Sequence, residues 1–172
     1  GEAGPHGERG AEGPAGATGP QGASGTDGQD AFTDVGTGFS MNPRVMGSAS
    51  YMDIPSANAT VTVPAGRQAT VIAHFSAEAV MFGAPGDRCS VRIVLDGEPM
   101  TPSEGVDDTF DSVSDGASFD NAEQHAIVRY AEHVGAGDHT VIAQAATTKT
   151  GAAEPQCRID DLAMVAQAID EQ

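Results

Sequence analysis

From about residue 40 onward, apolar and polar residues alternate with a period of two. Asn58 to Val63 sets Ala59, Val61 and Val63 against Thr60 and Thr62, and Ala69 to Phe75 gathers Ala69, Val71, Ala73 and Phe75 on one parity. Such alternation marks strands buried on one face. Cys89, Val91, Ile93 and Leu95 continue it and stop at Asp96-Gly97, a dipeptide suited to a two-residue hairpin turn. Residues 103–121 are acidic, serine-rich and weakly patterned, which predicts a long loop holding at most one short strand. Ala122 to His133 and His139 to Thr148 predict the arms of a hairpin, joined by Val134 to Asp138, whose glycines supply positive φ. The last run, Cys157 to Ile169, has Leu162, Met164, Ala166 and Ala168 on one parity and Val165 and Ile169 on the other. Apolar residues on both parities predict a strand covered on both sides, by the core and by a subunit interface. Alanine is frequent from Ala65 to Met81, but the centre of that stretch is β-branched and alternates, so no helix is predicted there. Short strands at short intervals between glycine and proline turns predict an all-β jelly-roll sandwich over residues 41–172.

The first 30 residues follow another rule. Gly1, Gly4, Gly7, Gly10, Gly13, Gly16, Gly19, Gly22, Gly25 and Gly28 recur at every third position, and Ala31 ends the series. A strict third-residue glycine is the signature of a collagen triple helix, because only glycine fits at the axis of three wound chains. Residues 1–30 are therefore read as a triple-helical stalk about 90 Å long, residues 31–40 as a neck, and the protein as a homotrimer. The repeat opens in phase without a Met, so more repeat is expected upstream. Pro5, Pro14 and Pro20 all take the second place of their triplets, leaving no third-place proline to hydroxylate. That points to a bacterial or bacteriophage fibre.

A collagen-like stalk followed by a jelly roll resembles the C1q and tumour-necrosis-factor-like superfamily. Val63-Pro64-Ala65-Gly66 leading into Ala69-Thr70-Val71-Ile72 is similar to that family's proline-glycine approach to a central strand. Arg92 to Gly97 resembles its strand ending in an Asp-Gly hairpin. Gly135 to Asp138 before His139-Thr140-Val141 resembles its late glycine-aspartate turn, and Leu162 to Ile169 its terminal strand at the trimer centre. The resemblance implies the jelly-roll fold and three-fold symmetry, and it assigns no binding residue.

Lys+Arg 8 against Asp+Glu 25 gives a net charge of −17. A chain so acidic, with no compact basic patch, is not expected to bind nucleic acid. No apolar run approaches the roughly 20 residues of a membrane span, so membrane insertion is not expected. Three such chains repel one another, and assembly should tolerate salt or require it. The aspartates Asp107, Asp108, Asp111 and Asp115 crowd one loop and make the candidate calcium site, calcium preferring hard oxygen ligands. Their spacing departs from the EF-hand pattern, and the alternative is a solvated acidic loop. His125 and His133 share a strand parity with Arg129, and His139 follows the turn. Together they form either a histidine cluster or separate strand-edge caps. Cys89 and Cys157 form either a disulfide or two buried thiols. No nucleophile-elbow motif is present, so no catalytic residue and no enzyme activity are expected, and no cofactor beyond calcium. The functional expectation is an extracellular fibre end, on a virion or a bacterial surface, whose head registers the stalk and binds a cell-surface glycan or protein receptor. The 103–121 and 149–156 loops are the candidate contact surface. The alternatives are a trimerisation cap without a ligand and, less favoured, an enzyme degrading surface polysaccharide.

Overall fold

The computed structural model describes residues 1–13, 31–103, 108–114 and 121–171. Residues 1–13, which include the first five glycines of the repeat, are exposed and form neither helix nor strand. Gly16 to Gly28 lie outside the described residues. Among the described residues the elements are all strands: β1 (Thr33–Ser40), β2 (Arg44–Met46), β3 (Met52–Val63), β4 (Ala69–Phe82), β5 (Arg88–Leu95), β6 (Glu98–Pro99), β7 (Thr109–Ser112), β8 (Glu123–Val134), β9 (Gly137–Thr148) and β10 (Gln156–Asp170). β1, β10, β4 and β8 form one sheet in that order, with β2 also against β10. β3, β9, β5 and β6 form the other, with β7 also against β5. All of these pairings are antiparallel. Leaving aside the short β2 and β6, the chain alternates between the sheets, with β5 and β7 together as the one consecutive pair. This is the path of a jelly roll.

Inward residues of both sheets make a single core in which Phe75, Met81, Ile93, Ile159 and Met164 are fully buried. Each such side chain stabilises the fold by about 1.5–3 kcal/mol relative to exposure. Cys89 on β5 and Cys157 on β10 are joined as a disulfide. The bond ties the two sheets together across a separation of 68 residues. A chain-entropy estimate makes closing a loop of that length worth on the order of 4 kcal/mol.

Several turns follow directly from local chemistry. Asp96 and Gly97 both have positive φ, 51° and 92°, as a type I′ hairpin between β5 and β6 requires. Pro64 accepts from the amide of Arg67 with Gly66 at φ 77°, a type II turn. Pro55 interrupts β3 where that strand is the edge of its sheet and irregular between Asp53 and Asn58, a position that tolerates proline.

Two expectations change. The segment 31–40 is not a neck from Thr33 onward, because β1 pairs with β10 from Thr33↔Ile169 to Ser40↔Leu162. Its inward positions are Asp34, Gly36, Gly38 and Ser40, so it lacks the apolar side that reveals a strand. A Cβ on Gly36 or Gly38 would collide with the carbonyl oxygen of Thr60 or Asn58, so the two glycines let β1 lie directly over the backbone of β3. Asp34 reinforces this seam by accepting from the Thr62 amide at 2.6 Å. The second change concerns β8 and β9. They do not pair with each other: β8 pairs with β4, while β9 pairs with β3 and β5. The glycine-rich link is a crossing between sheets, bent at His133 (φ 58°) and Gly137 (φ 142°). His139 fastens the crossing through Nε2 to the Gly135 carbonyl at 2.8 Å and Nδ1 to Asp96 at 2.7 Å. Burial opposes a charge on His139, but these hydrogen bonds and the Asp96 carboxylate outweigh it and raise its pKa. Local glycine chemistry specifies that the chain reverses; it leaves open which sheet receives the next strand.

Replacing Gly38 with Val should cost about 3 kcal/mol, at the upper end of overpacking penalties, because the obstacle is backbone and cannot change rotamer. Equilibrium denaturation checks this. A loss below about 0.5 kcal/mol would show that β1 can lift from β3.

Candidate functional site

Two surfaces are candidates for function. The first is the outer face of the sheet containing β10. Registers place side chains in rows across its strands: Val35, Gln167, Ile72 and Tyr130; then Thr37, Val165, His74 and Val128; then Phe39, Ala163, Ser76 and Ala126. None of these positions is acidic, although the chain holds 25 Asp and Glu. Phe39 is 75% exposed, Val35 51% and Val128 48%. Acidic residues return on this face towards both ends of the strands: at Asp160 and Glu78, which pair with each other, at one end, and at Glu132 and Glu171, the latter bonded to the Thr70 hydroxyl, at the other. Contiguous exposed apolar surface of this kind marks an interaction site. The two-sided apolar pattern of β10 has its origin here: Leu162, Met164, Ala166 and Ala168 are buried in the core, and Val165 and Ile169 lie on the outer face.

The second surface is the end of the sandwich opposite Thr33. Antiparallel register places there the loops after β4, β7 and β9, together with the segment 41–51. Its organiser is Asp87, which the sequence pattern did not single out. Ala84-Pro85-Gly86-Asp87 forms a type II turn, with Gly86 at φ 87° and the Asp87 amide donating to the Ala84 carbonyl. The Asp87 carboxylate then accepts from the Ala84 amide at 2.7 Å, the Thr150 amide at 2.5 Å and the Thr150 hydroxyl at 2.8 Å. Its backbone carbonyl accepts from the Val113 amide at 3.0 Å. The Thr150 amide above all holds the carboxyl below its ordinary pKa, against the cost of burial. Three loops are thus stitched to one residue, two of them through its carboxylate, and the 149–156 segment stands on a fixed base, with Ala152, Ala153 and Glu154 exposed.

The aspartates expected to bind calcium divide. Asp107 and Asp115 lie outside the described residues. Asp108 is nearly buried and accepts from Arg129 Nη2 at 3.2 Å and from the Tyr51 hydroxyl at 3.0 Å. Asp111 lies 4.0 Å from His125 Nε2 and accepts from the Ser112 amide at 2.7 Å. Among the described residues no three His, Cys, Asp or Glu are grouped to hold a metal. Burial, and then the Asp108 charge, push the Tyr51 phenol up to about 12, and the Arg92 guanidinium lies 4.1 Å above its ring. The described centre of the 103–121 loop is therefore core rather than exposed contact surface. Phe110 packs at 5.6 Å against Phe75 and at 5.2 Å against His125, and Val113 is buried. The histidines do not form a cluster. His125 and Arg129 face inward, His133 bonds Glu171 at 2.8 Å, and His139 bonds Asp96. The His133 amide and then the Thr70 hydroxyl lower Glu171 to about 2.

Neither a family model nor a curated protein matches the chain. Among solved structures it is similar to Eiger TNF from S. frugiperda, at 8% identity and a TM-score of 0.41, over 82% of this chain and 93% of that one. It is also similar to a family 35 carbohydrate binding module from Clostridium thermocellum, at 16% identity and a TM-score of 0.29, over 74% of this chain and 96% of that one. A third is the CBM36-1 domain of a multidomain xylanase from the hindgut metagenome of Trinervitermes trinervoides, at 11% identity and a TM-score of 0.29, over 72% and 96%. The jelly-roll path stands on strand order and register.

Because the Asp87 pKa is depressed, the stability it contributes is present above the ordinary carboxylate value and is lost as pH falls below it. Asp87→Asn should speed hydrogen exchange at the Thr150 amide and flatten the loss of stability between pH 5 and pH 3. Unchanged Thr150 exchange would show that the loops hold without the anion.

Proposed function

We propose that the chain is the end of a homotrimeric extracellular fibre. The head trimerises through the outer face of the β10 sheet, sets the register of a collagen-like triple helix formed by residues 1–30, and offers the opposite end as an adhesive or receptor-binding surface. The observation that carries this reading is a face whose three central rows hold exposed apolar residues and no carboxylate, on a chain of net charge −17, with β1 at one edge of its sheet. β1 follows the Gly-X-Y repeat within a few residues, and that repeat needs two further copies of the chain. The occupants of the face are therefore those copies. Rows kept free of carboxylates also let three strongly acidic chains meet there without direct repulsion.

Two further features support the reading. The disulfide suits an oxidising, extracellular setting, as on a virion or a bacterial surface. The stitched loops lie at the end away from the stalk, where a fibre meets its target, and a surface already ordered pays less entropy on binding. Its ligand would be a cell-surface glycan or protein, and no catalytic role is assigned to it.

Val128→Asp places a carboxylate in the middle row. Light scattering should show the wild-type chain at three times the monomer mass and the variant at the monomer mass, with unchanged β circular dichroism. A monomeric wild type, at low and high salt alike, would remove the trimer. For the recognition role, glycan-array binding should survive Val128→Asp as weaker, monovalent binding and be lost on deletion of Ala152 to Glu154. A trimer that binds no glycan or host surface would be a structural cap.

A further inference from the structure

We propose that His74 makes self-association of the head acid-labile. The inference rests on the trimer reading above and concerns how the same face is controlled. His74 occupies the middle row of the outer face on β4, one of the two central strands of the sheet. Its directly paired neighbours are Val165 on β10 and Val128 on β8, and Ile72 and Ser76 flank it along β4. The side chain is exposed in the single chain, so an imidazolium there keeps its water. Two further copies on this face would cover the middle row first, and a charged ring would then lie among valines and isoleucine.

No carboxylate on the adjoining strands can offset that charge. On β4 the nearest is Glu78, four residues away, about 13 Å along the strand. On β10 it is Asp160, which pairs with Glu78. On β8 the outward titratable groups are the Tyr130 phenol, one row away, and Glu132, four residues along from Val128, and Glu171 bonds Thr70, four residues from His74 on β4. At 0.15 M salt a charge 13 Å away across water is largely screened, the Debye length being about 8 Å. This sets His74 apart from His133 and His139, each of which has a carboxylate at hydrogen-bond distance.

The sign follows from linkage. An imidazolium on this face is hydrated in the free chain but would be stripped of water in the assembled one, so assembly disfavours the proton. Histidine side chains change charge between about pH 8 and pH 5. Association is therefore strongest at the upper end of that range and weakens towards the lower end, with the cost incurred once in each of the three chains. Protonation of the many carboxylates acts in the opposite direction by relieving repulsion, and it begins near pH 4.5. The interval from pH 7.5 to 5.5 thus separates the histidines from the carboxylates, and substitution of His74 separates it from the other histidines.

The test is sedimentation velocity of the full chain over a dilution series at pH 7.5 and 5.5 in 0.15 M salt, with His74→Phe and His74→Gln alongside. The expected result is a wild-type trimer at pH 7.5 whose midpoint concentration rises at least tenfold at pH 5.5. Both variants should keep one midpoint at the two pH values, and Gln serves if Phe disturbs folding by circular dichroism. A wild-type trimer insensitive to pH would overturn the inference and leave the trimer standing. Equal pH sensitivity in wild type and both variants would overturn it in favour of other groups. A monomer under all conditions would remove both readings.

Discussion

The carboxy-terminal strand β10 has to satisfy two sets of neighbours at once, and the rest of the head is arranged around that requirement. β1 and then β2 take one of its edges, and β4 takes the other over nearly its full length. Its inward residues, from Cys157 through Met164 to Ala168, close the core beneath those edges, and Cys157 also carries the covalent link to the second sheet. A strand hydrogen-bonded on both sides leaves little room for register slippage, since a shift of one residue would exchange core side chains for surface ones. The irregularity between Asp160 and Ala163, with Asp161 at φ 45°, is where β10 passes from β2 to β1 as its neighbour. The extra residue sits at that change of partner, as bulges do where pairing is redirected.

Much of this was legible in the sequence, and the parts that were not share a cause. β3, β4 and β5 announced themselves because one face of each is apolar and the other is not, and β10 because apolar residues fall on both of its parities. The Asp96-Gly97 turn was legible because its backbone angles admit few residues. β1 was missed because its inward side is Asp34, Gly36, Gly38 and Ser40, chosen for close backbone approach, while its apolar residues Val35 and Phe39 point to solvent. The hairpin assigned to β8 and β9 failed for a different reason. Strand pattern and turn glycines are local, whereas the choice between pairing with the next strand and crossing to the other sheet depends on partners more than 40 residues away. Asp87 could not be singled out either. One aspartate after Pro-Gly looks like any turn, and Thr150, which makes it an organiser, is 63 residues on.

The two ends of the sandwich are built by different means. At the end where the chain enters β1, charged groups fasten the termini of strands. Arg67 holds Asp170 and stacks over Phe32, and Glu171 binds both Thr70 and His133. At the opposite end one buried carboxylate, Asp87, holds the Ala84 and Thr150 amides and the Thr150 hydroxyl, and Lys149 pairs with Glu154 in the exposed loop above it. Charge thus closes one end and is absent from the middle rows of the outer face of the β10 sheet, so that the acidic character of the chain is spread unevenly.

The antiparallel pairing of β1 with β10 also bears on how the head would carry load. Tension arriving through the residues before Thr33 would act along the axis of β1, while the hydrogen bonds to β10 lie across it. All of the paired residues from Thr33 to Ser40 would then be sheared together rather than peeled apart one pair at a time. The terminal tie of Asp170 to the Phe32 carbonyl stands at the loaded end. A jelly roll loaded through this strand, as in the fibre proposed above, would be a tether that yields only when the whole ladder slides.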